Sequence, residues 1–119
     1  MPREPLEVLQ GTLSVLILKT LSGGALHGYG VSQWIRRRTR EELTVEDAAL
    51  YQALHRLERK GWVVSNWGLS ENNRRAKYYQ LTPSGRARLR TDVATWKRYV
   101  AAVTQILDAT GDGLRPEPV

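Results

Sequence analysis

The chain has 119 residues, a formal net charge of +6 and no cysteine. This length predicts a single domain, and the lack of cysteine excludes disulfides and thiolate metal sites. No apolar run approaches the ~20 residues that a membrane helix needs, and the N-terminus lacks the apolar core of a signal peptide. We therefore expect a cytoplasmic protein that makes no membrane contact.

The positive charge is concentrated in one segment of the chain. Residues 55–90 contain nine arginines and lysines but only two acidic residues, Glu58 and Glu71. A localised positive field of this kind favours a polyanionic partner. The alternative is a basic, soluble surface without a partner, and charge alone does not separate the two.

The N-terminal part of the sequence predicts two helices. After a short lead, apolar residues recur every three or four positions over 6–21, which predicts a helix that ends at the glycines that follow. A second helix is predicted over 29–40. Its inward side is expected to carry Val31, Trp34 and Ile35. Residues 41–45 are expected to form a short extended link to the third helix.

The central part of the sequence predicts a third helix followed by a β-hairpin. Over 47–60, Leu50, Leu54 and Leu57 fall on one helical face. The opposite face carries the long polar side chains of Tyr51, Gln52, His55, Arg56 and Arg59. Strands are predicted over 62–67 and 77–81, joined by a polar tip. A donor-rich helix beside a basic hairpin indicates a winged helix-turn-helix, a mainly α fold with a small β-hairpin wing.

A fourth, long helix is predicted over 84–108, beginning after a Thr-Pro cap. Its apolar residues form a heptad seam of Leu89, Val93, Trp96, Val100, Val103 and Leu107. Such a seam favours a partner helix, and packing on its own domain is the alternative. We expect a winged helix domain over 6–82, a dimerisation helix over 83–110 and a flexible tail over 111–119.

Several stretches match one family of regulators. They are Gly11-Thr12-Leu13 and Ile17-Leu18 in the first helix, His27-Gly28-Tyr29-Gly30 at the second, LYQALHRLE at 50–58 with Gly61, and NNRRAKYYQLT at 72–82 with Gly85. Over residues 9–107 the chain resembles the PadR-like family of bacterial transcriptional regulators. The resemblance implies a winged helix domain, a C-terminal dimerisation helix and a repressor whose DNA affinity falls when an effector or signal acts. Ala49 and Gln52 depart from the Ser or Thr and the Pro that many members carry, so a different operator sequence is expected.

The polar face of the third helix supplies candidate DNA contacts. The hydroxyl of Tyr51 can donate to a phosphate and its ring can pack on a sugar. The resemblance places the family's DNA-contacting tyrosine at Tyr51, and a tyrosine packed on the wing is the alternative. Gln52, His55 and Arg56 are the candidates for base edges, and Arg59 is a further candidate for DNA binding. Glutamine suits adenine and arginine suits guanine. Arg56 has two alternatives, an ion pair with Glu58 and a contact to a backbone phosphate.

The hairpin tip supplies candidate contacts to phosphates or to the minor groove. These are Asn73, Arg74, Arg75 and Lys77. Phosphate contacts fix the register of a protein on DNA and make its affinity depend on salt. A solvated tip is the alternative, and it explains the asparagine but not two adjacent arginines followed by a lysine.

Trp96 in the seam has a second predicted role. Aromatic residues in this region line an effector cavity in some members of the family that the chain resembles, so Trp96 is the candidate effector-binding residue, with dimer core as the alternative. His27 and His55 are too few and too far apart for a metal site. No catalytic or nucleotide-binding pattern stands out, so we expect neither enzymatic activity nor a cofactor.

These observations predict a homodimeric regulator that binds double-stranded DNA sequence-specifically, a repressor relieved by a small-molecule effector or another signal. The operator is expected to be an inverted repeat with half-site centres about 34–36 Å apart. Two alternatives are a winged helix regulator of another family and a winged helix that assembles with an acidic protein.

Overall fold

The computed structural model describes residues 5–7 and 11–115. In chain order the elements are β1 (Leu6–Glu7), α1 (Leu13–Leu21), β2 (Leu26–His27), α2 (Gly28–Arg38), β3 (Leu43–Thr44), α3 (Asp47–Arg59), β4 (Val63–Leu69), β5 (Arg75–Leu81), α4 (Pro83–Leu107) and a 3-10 helix (Gly111–Leu114). The predicted order of three helices, a hairpin and a long fourth helix is confirmed.

Two small sheets connect the helices. β5 lies between β2 and β4 in an antiparallel sheet, and β1 pairs with β3 in parallel. The hairpin of β4 and β5 is in register from Val63 opposite Leu81, at its base, to Leu69 opposite Arg75, near its tip. This hairpin, residues 63–81, is called the wing below.

The core lies between the apolar sides of α1, α2 and α3 and the base of the wing. Its most deeply buried large side chains are Ile17, Leu18, Leu21, Val31, Leu50, Leu54, Leu57 and Val63. The leucines of α3 recur every three or four residues, so one side of this helix is apolar and the other faces solvent. These side chains form one cluster within a single chain.

The prediction that the first helix starts at Leu6 is wrong. α1 begins at Leu13, and Leu6 lies in β1, where its N–H donates to the carbonyl of Glu42 at 2.7 Å. Gly11 has a φ of 92°, in the left-handed region that favours glycine, and this conformation interrupts a helix that runs from Leu6. Residues 8–10, which belong to the predicted helix, lie outside the described residues.

Two further details differ from the prediction. Trp34 was expected to point inward, but 36% of it is exposed. α2 ends at Arg38 because Arg40 and Glu41 adopt positive φ values of 50° and 65°, which a right-handed helix cannot include. The predicted flexible tail begins with the 3-10 helix, and its residues 116–119 lie outside the described residues.

The start of α4 is fixed against the turn that precedes the wing. The hydroxyl of Thr82 accepts the N–H of Gly85 at 3.0 Å and donates to the carbonyl of Gly61 at 2.7 Å. Pro83 occupies the first turn of the helix, where its missing N–H is not needed. Gly85 is buried, and a Cβ added to it would lie 1.9 Å from the carbonyl oxygen of Trp62. This close approach therefore requires glycine at position 85.

The first half of α4 packs on the domain, and the second half leaves it. Leu89, which the sequence placed in the dimer seam, packs against the core of its own chain, and Val93 is half-buried. The exposed apolar residues of the second half are Trp96, Tyr99, Val100, Val103, Ile106 and Leu107. None of the described helices, α4 included, is long and apolar enough to span a membrane.

Candidate nucleic-acid interface

The outward side of α3 presents its predicted DNA-binding residues on one surface. Tyr51, Gln52, His55, Arg56 and Arg59 are all exposed and line one shallow groove of about 550 Å³. On the other side of the helix, Leu54 and Leu57 are completely buried in the core. Because that side is fixed, α3 is a rigid support for the polar side chains.

Tyr51 lies over the start of α2. Tyr51 is 52% exposed. A Cβ added to Gly28 would lie 2.9 Å from the ring carbon Cε1 of Tyr51 and 3.0 Å from its hydroxyl oxygen. The ring and hydroxyl of Tyr51 therefore lie directly against the backbone of Gly28. This contact fixes the direction of the side chain while it leaves half of the residue accessible to a ligand.

A second groove, of about 560 Å³, lies between the start of α2, α3 and the wing. Its cations are Arg74, Arg75 and Lys77, and its aromatic lining comes from His27, Tyr29, Tyr51, Trp67 and Tyr79. Aromatic rings pack on sugars and bases, and cations attract phosphates. The groove thus has the chemistry to hold a strand of nucleic acid.

Trp67 was not predicted as a site residue, although 61% of it is exposed on the wing. The guanidinium of Arg75 lies 4.8 Å from the centre of its ring, as a cation–π pair. Trp67 lies four residues after the buried Val63 on β4, so both side chains are on the same face of the strand. Trp67 is nearer the tip of the wing and lies beyond the edge of the core. Its position beside the basic tip was the signal in the sequence that could have identified it.

The tip of the wing is a tight turn. The N–H of Ser70 donates to the carbonyl of Arg74 at 2.8 Å, and the N–H of Asn73 donates to the carbonyl of Ser70 at 2.8 Å. Asn73 adopts a φ of 59°, which asparagine tolerates better than most residues. The turn leaves Asn73 and Arg74 exposed at the end of the wing.

His27 forms part of the wall of the second groove and also caps a helix. Its Nδ1 accepts the N–H of Gly30 at 2.9 Å and so caps α2. Its ring packs edge-on against Tyr78, with ring centres 5.3 Å apart. In the described part of the chain, no three His, Cys, Asp or Glu side chains lie close enough together to hold a metal ion.

Lys77 is tied to α3 by an acidic residue. The carboxylate of Glu58 accepts a short hydrogen bond from the hydroxyl of Ser65, and the Nζ of Lys77 lies 3.4 Å from its other oxygen. The hydrogen bond from Ser65 and the charge of Lys77 outweigh partial burial and hold the pKa of Glu58 below its usual value. At neutral pH Lys77 therefore faces a charged partner inside the protein.

Arg56 lies at the edge of the α3 surface and also reaches α1. Its Nη2 donates to the hydroxyl of Ser14 on α1 at 3.2 Å, rather than pairing with Glu58. It therefore also lines a third groove, of about 650 Å³, between α1, the end of α3 and α4. The side chains in this groove include Trp62, Trp96 and Tyr99 as well as the cations Arg56, Lys60 and Arg88.

A trihelical core with a solvent-facing third helix and a basic β-hairpin beside it defines a winged helix-turn-helix protein. The model of the Transcriptional regulator PadR-like family matches residues 17–91. The chain belongs to the PadR-like family and is a transcriptional regulator, as the resemblance of its motifs predicted.

The chain is similar to known proteins over most of its length. An uncharacterised protein of Lysinibacillus sphaericus is 32% identical over 108 residues, which are 91% of this chain and 95% of that protein. The structure of a transcriptional regulator from Clostridium thermocellum matches 83% of this chain and 93% of its own, with 29% identity and a TM-score of 0.75. A PadR family regulator from Clostridium difficile matches 82% and 99% of the two chains, with 28% identity and a TM-score of 0.68.

Proposed function

We propose that this regulator binds double-stranded DNA sequence-specifically, with α3 in the major groove and the wing on the neighbouring backbone or minor groove. The observation that supports this most is the continuous cationic and aromatic surface that α3 and the wing share. In this proposal Gln52, His55 and Arg59 meet base edges, and Tyr51 meets a phosphate or sugar. Arg74 and Arg75 at the wing supply the salt-dependent part of the affinity.

The second half of α4 supports a homodimer. Val93, Trp96, Val100, Val103 and Leu107 follow the predicted seam, and Tyr99 and Ile106 widen it. An apolar face of this width exceeds the stripe of a two-stranded coiled coil, so the partner would contribute more than its own α4. A two-fold axis through this face would pair two α3 helices on an inverted-repeat operator, with half-sites ~34–36 Å apart.

In the same proposal, a small molecule binds the regulator and relieves repression. The third groove is large enough for a small ligand, and Trp96 lies in its wall. A ligand there would act only through different affinities for two arrangements of the dimer. The protein would repress in the cytoplasm, by occupying an operator near the start of a target gene.

The experiment that tests the function is a fluorescence-anisotropy titration. The full chain is mixed with the DNA upstream of its own gene and, separately, with scrambled DNA of equal length, at two salt concentrations. We expect tight binding to the upstream DNA alone. The logarithm of the binding constant should fall linearly with the logarithm of the salt concentration, with a slope of about −0.9 for each phosphate contacted. Weak, equal binding to both DNAs would contradict sequence-specific recognition and favour assembly with an acidic protein.

Replacing Tyr51 by alanine is expected to lower the affinity for the upstream DNA by about tenfold or more, since a hydrogen bond to a charged phosphate is lost. Tyr51→Phe keeps the ring against Gly28 and isolates the hydroxyl. Thermal unfolding of both variants should match that of the wild type, because Tyr51 is half exposed. Unchanged affinity of Tyr51→Ala would move the docking surface away from α3.

Gly28→Ala tests the placement of the tyrosine without removing it. The added methyl group meets the end of a movable ring, so the free energy of unfolding should change by no more than about 1 kcal/mol. Affinity for the upstream DNA should fall severalfold because Tyr51 turns away. Gly30→Ala is the matched control, since the nearest atoms lie at 3.4 Å from its added Cβ. Equal affinities of the two variants would show that the position of Tyr51 does not matter.

A further inference from the structure

One carboxylate joins α3 to both strands of the wing. Glu58 lies in the last turn of α3, Ser65 on β4 and Lys77 on β5. The two oxygens of Glu58 are divided between them: one accepts the hydroxyl of Ser65 and the other faces Nζ of Lys77 at 3.4 Å. The three side chains thus form a link between the helix and the wing.

The link lies where the support from the core ends. At the base of the wing, Val63 and Leu81 face each other and are buried. On the same face of the wing, the pairs that follow towards the tip are Ser65 with Tyr79 and Trp67 with Lys77. Beyond this point no residue of the wing is fully buried. The link at Ser65 and Lys77, together with the pairing of β2 with β5 up to Tyr78, therefore sets the direction of the part that lies beyond the core.

The charge of Glu58 is out of place on a surface that attracts a polyanion. Its side chain is 29% exposed and that of Lys77 is 34% exposed, so the pair is partly shielded from water and salt. Partial burial makes an ion pair stronger than one at the surface. The carboxylate also neutralises part of the charge of Lys77 and so reduces its contribution to the general attraction for phosphates.

We infer that Glu58 is a positioning residue that holds the wing at the spacing from α3 which one DNA sequence requires, while its charge weakens binding to DNA in general. This inference depends on the proposed DNA-binding function and assigns the acidic residue a part in specificity. A DNA-binding protein improves its discrimination both by favouring the right site and by disfavouring the others. The link from Glu58 would do the first through geometry and the second through charge.

The test compares two substitutions that remove the same charge. Glu58→Gln removes it at the link, and Glu71→Gln removes it at an exposed position in the tip of the wing. Binding is measured with the upstream DNA and the scrambled DNA at two salt concentrations. Glu71→Gln is expected to raise both affinities by similar factors. Glu58→Gln is expected to raise the affinity for scrambled DNA but to lower that for the upstream DNA, so that their ratio falls about tenfold.

Ser65→Ala separates geometry from charge, because it removes the hydrogen bond to Glu58 without changing the net charge. Ser65→Ala should lower the affinity for the upstream DNA. The dependence of this affinity on salt concentration should stay the same as in the wild type. Thermal unfolding of each variant shows whether the domain remains folded, and Ser65→Ala keeps the test usable if Glu58→Gln unfolds.

The possible failures can be told apart. If the wild type prefers the upstream DNA and Glu58→Gln behaves like Glu71→Gln, the inference is wrong and the proposed function stands. An upstream-DNA affinity of Ser65→Ala equal to that of the wild type would also overturn it. If the wild type binds both DNAs equally, the proposed function fails and the inference fails with it.

Discussion

Replacing Gly85 by alanine is expected to lower the free energy of unfolding by about 3 kcal/mol. An alanine inside a helix is normally more stable than a glycine, by about 1 kcal/mol. Here the added Cβ would lie 1.9 Å from the carbonyl oxygen of Trp62 and 2.9 Å from its carbonyl carbon. These are backbone atoms, so no rotation of a side chain relieves the clash, and α4 has to move away from Trp62.

The movement of α4 would break a second set of contacts. The N–H of Gly85 donates to Thr82, whose hydroxyl in turn donates to Gly61, so a shift of the helix also disturbs its cap. Urea unfolding followed by circular dichroism, at one fixed protein concentration, measures the effect. Gly28→Ala is the comparison, because its added Cβ meets a movable ring instead of backbone. A Gly85→Ala protein as stable as Gly28→Ala would contradict the close approach of α4 to Trp62.

Val100→Asp is expected to abolish the dimer at concentrations where the wild type is assembled. Val100 is 40% exposed in the single chain, at the middle of the apolar surface of α4. In the proposed dimer the new carboxylates would be buried without a partner, which costs about 4 kcal/mol and raises the dissociation constant of the dimer ~10³-fold. Folding of each chain should survive, since the core does not include Val100.

Sedimentation velocity over a range of concentrations measures this change. Gln105→Asp is the matched control: it introduces the same charge five residues further on, which places it on the other side of α4. It should leave the dimer intact. DNA binding of Val100→Asp should fall as well, because one chain then holds a single half-site without the gain from a linked second one. A Val100→Asp protein that stays dimeric at low concentration would place the interface elsewhere.

The parts of the fold with a strong local pattern could be predicted from the sequence. Leu50, Leu54 and Leu57 repeat at helical spacing, and this repeat alone separated the buried side of α3 from its polar side. The Thr82-Pro83 pair located the start of α4 within one residue, since a capping hydroxyl followed by proline has few other uses. The residues that the structure brings together on α3 were identified for the same reason.

The parts set by distant contacts could not be predicted. Leu6 fits a helical repeat, but its pairing with the segment near Leu43 overrides that local preference. Arg56 and Ser14 are 42 residues apart, and nothing in either neighbourhood indicates their hydrogen bond. The link from Glu58 to Ser65 and Lys77 is equally invisible, because it depends on how the wing folds back over α3. Trp67 was missed since an aromatic residue in a strand is more often buried.

The core closes within one chain, whereas the apolar half of α4 lies outside it. The cellular concentration of the regulator would therefore affect how much of it is dimeric. Such a chain can fold completely before it dimerises with a second copy. While most chains are single, the amount of the proposed dimer rises with the square of the total concentration. Occupancy of a two-part operator would then switch over a narrower range of cellular protein levels than occupancy by a single chain.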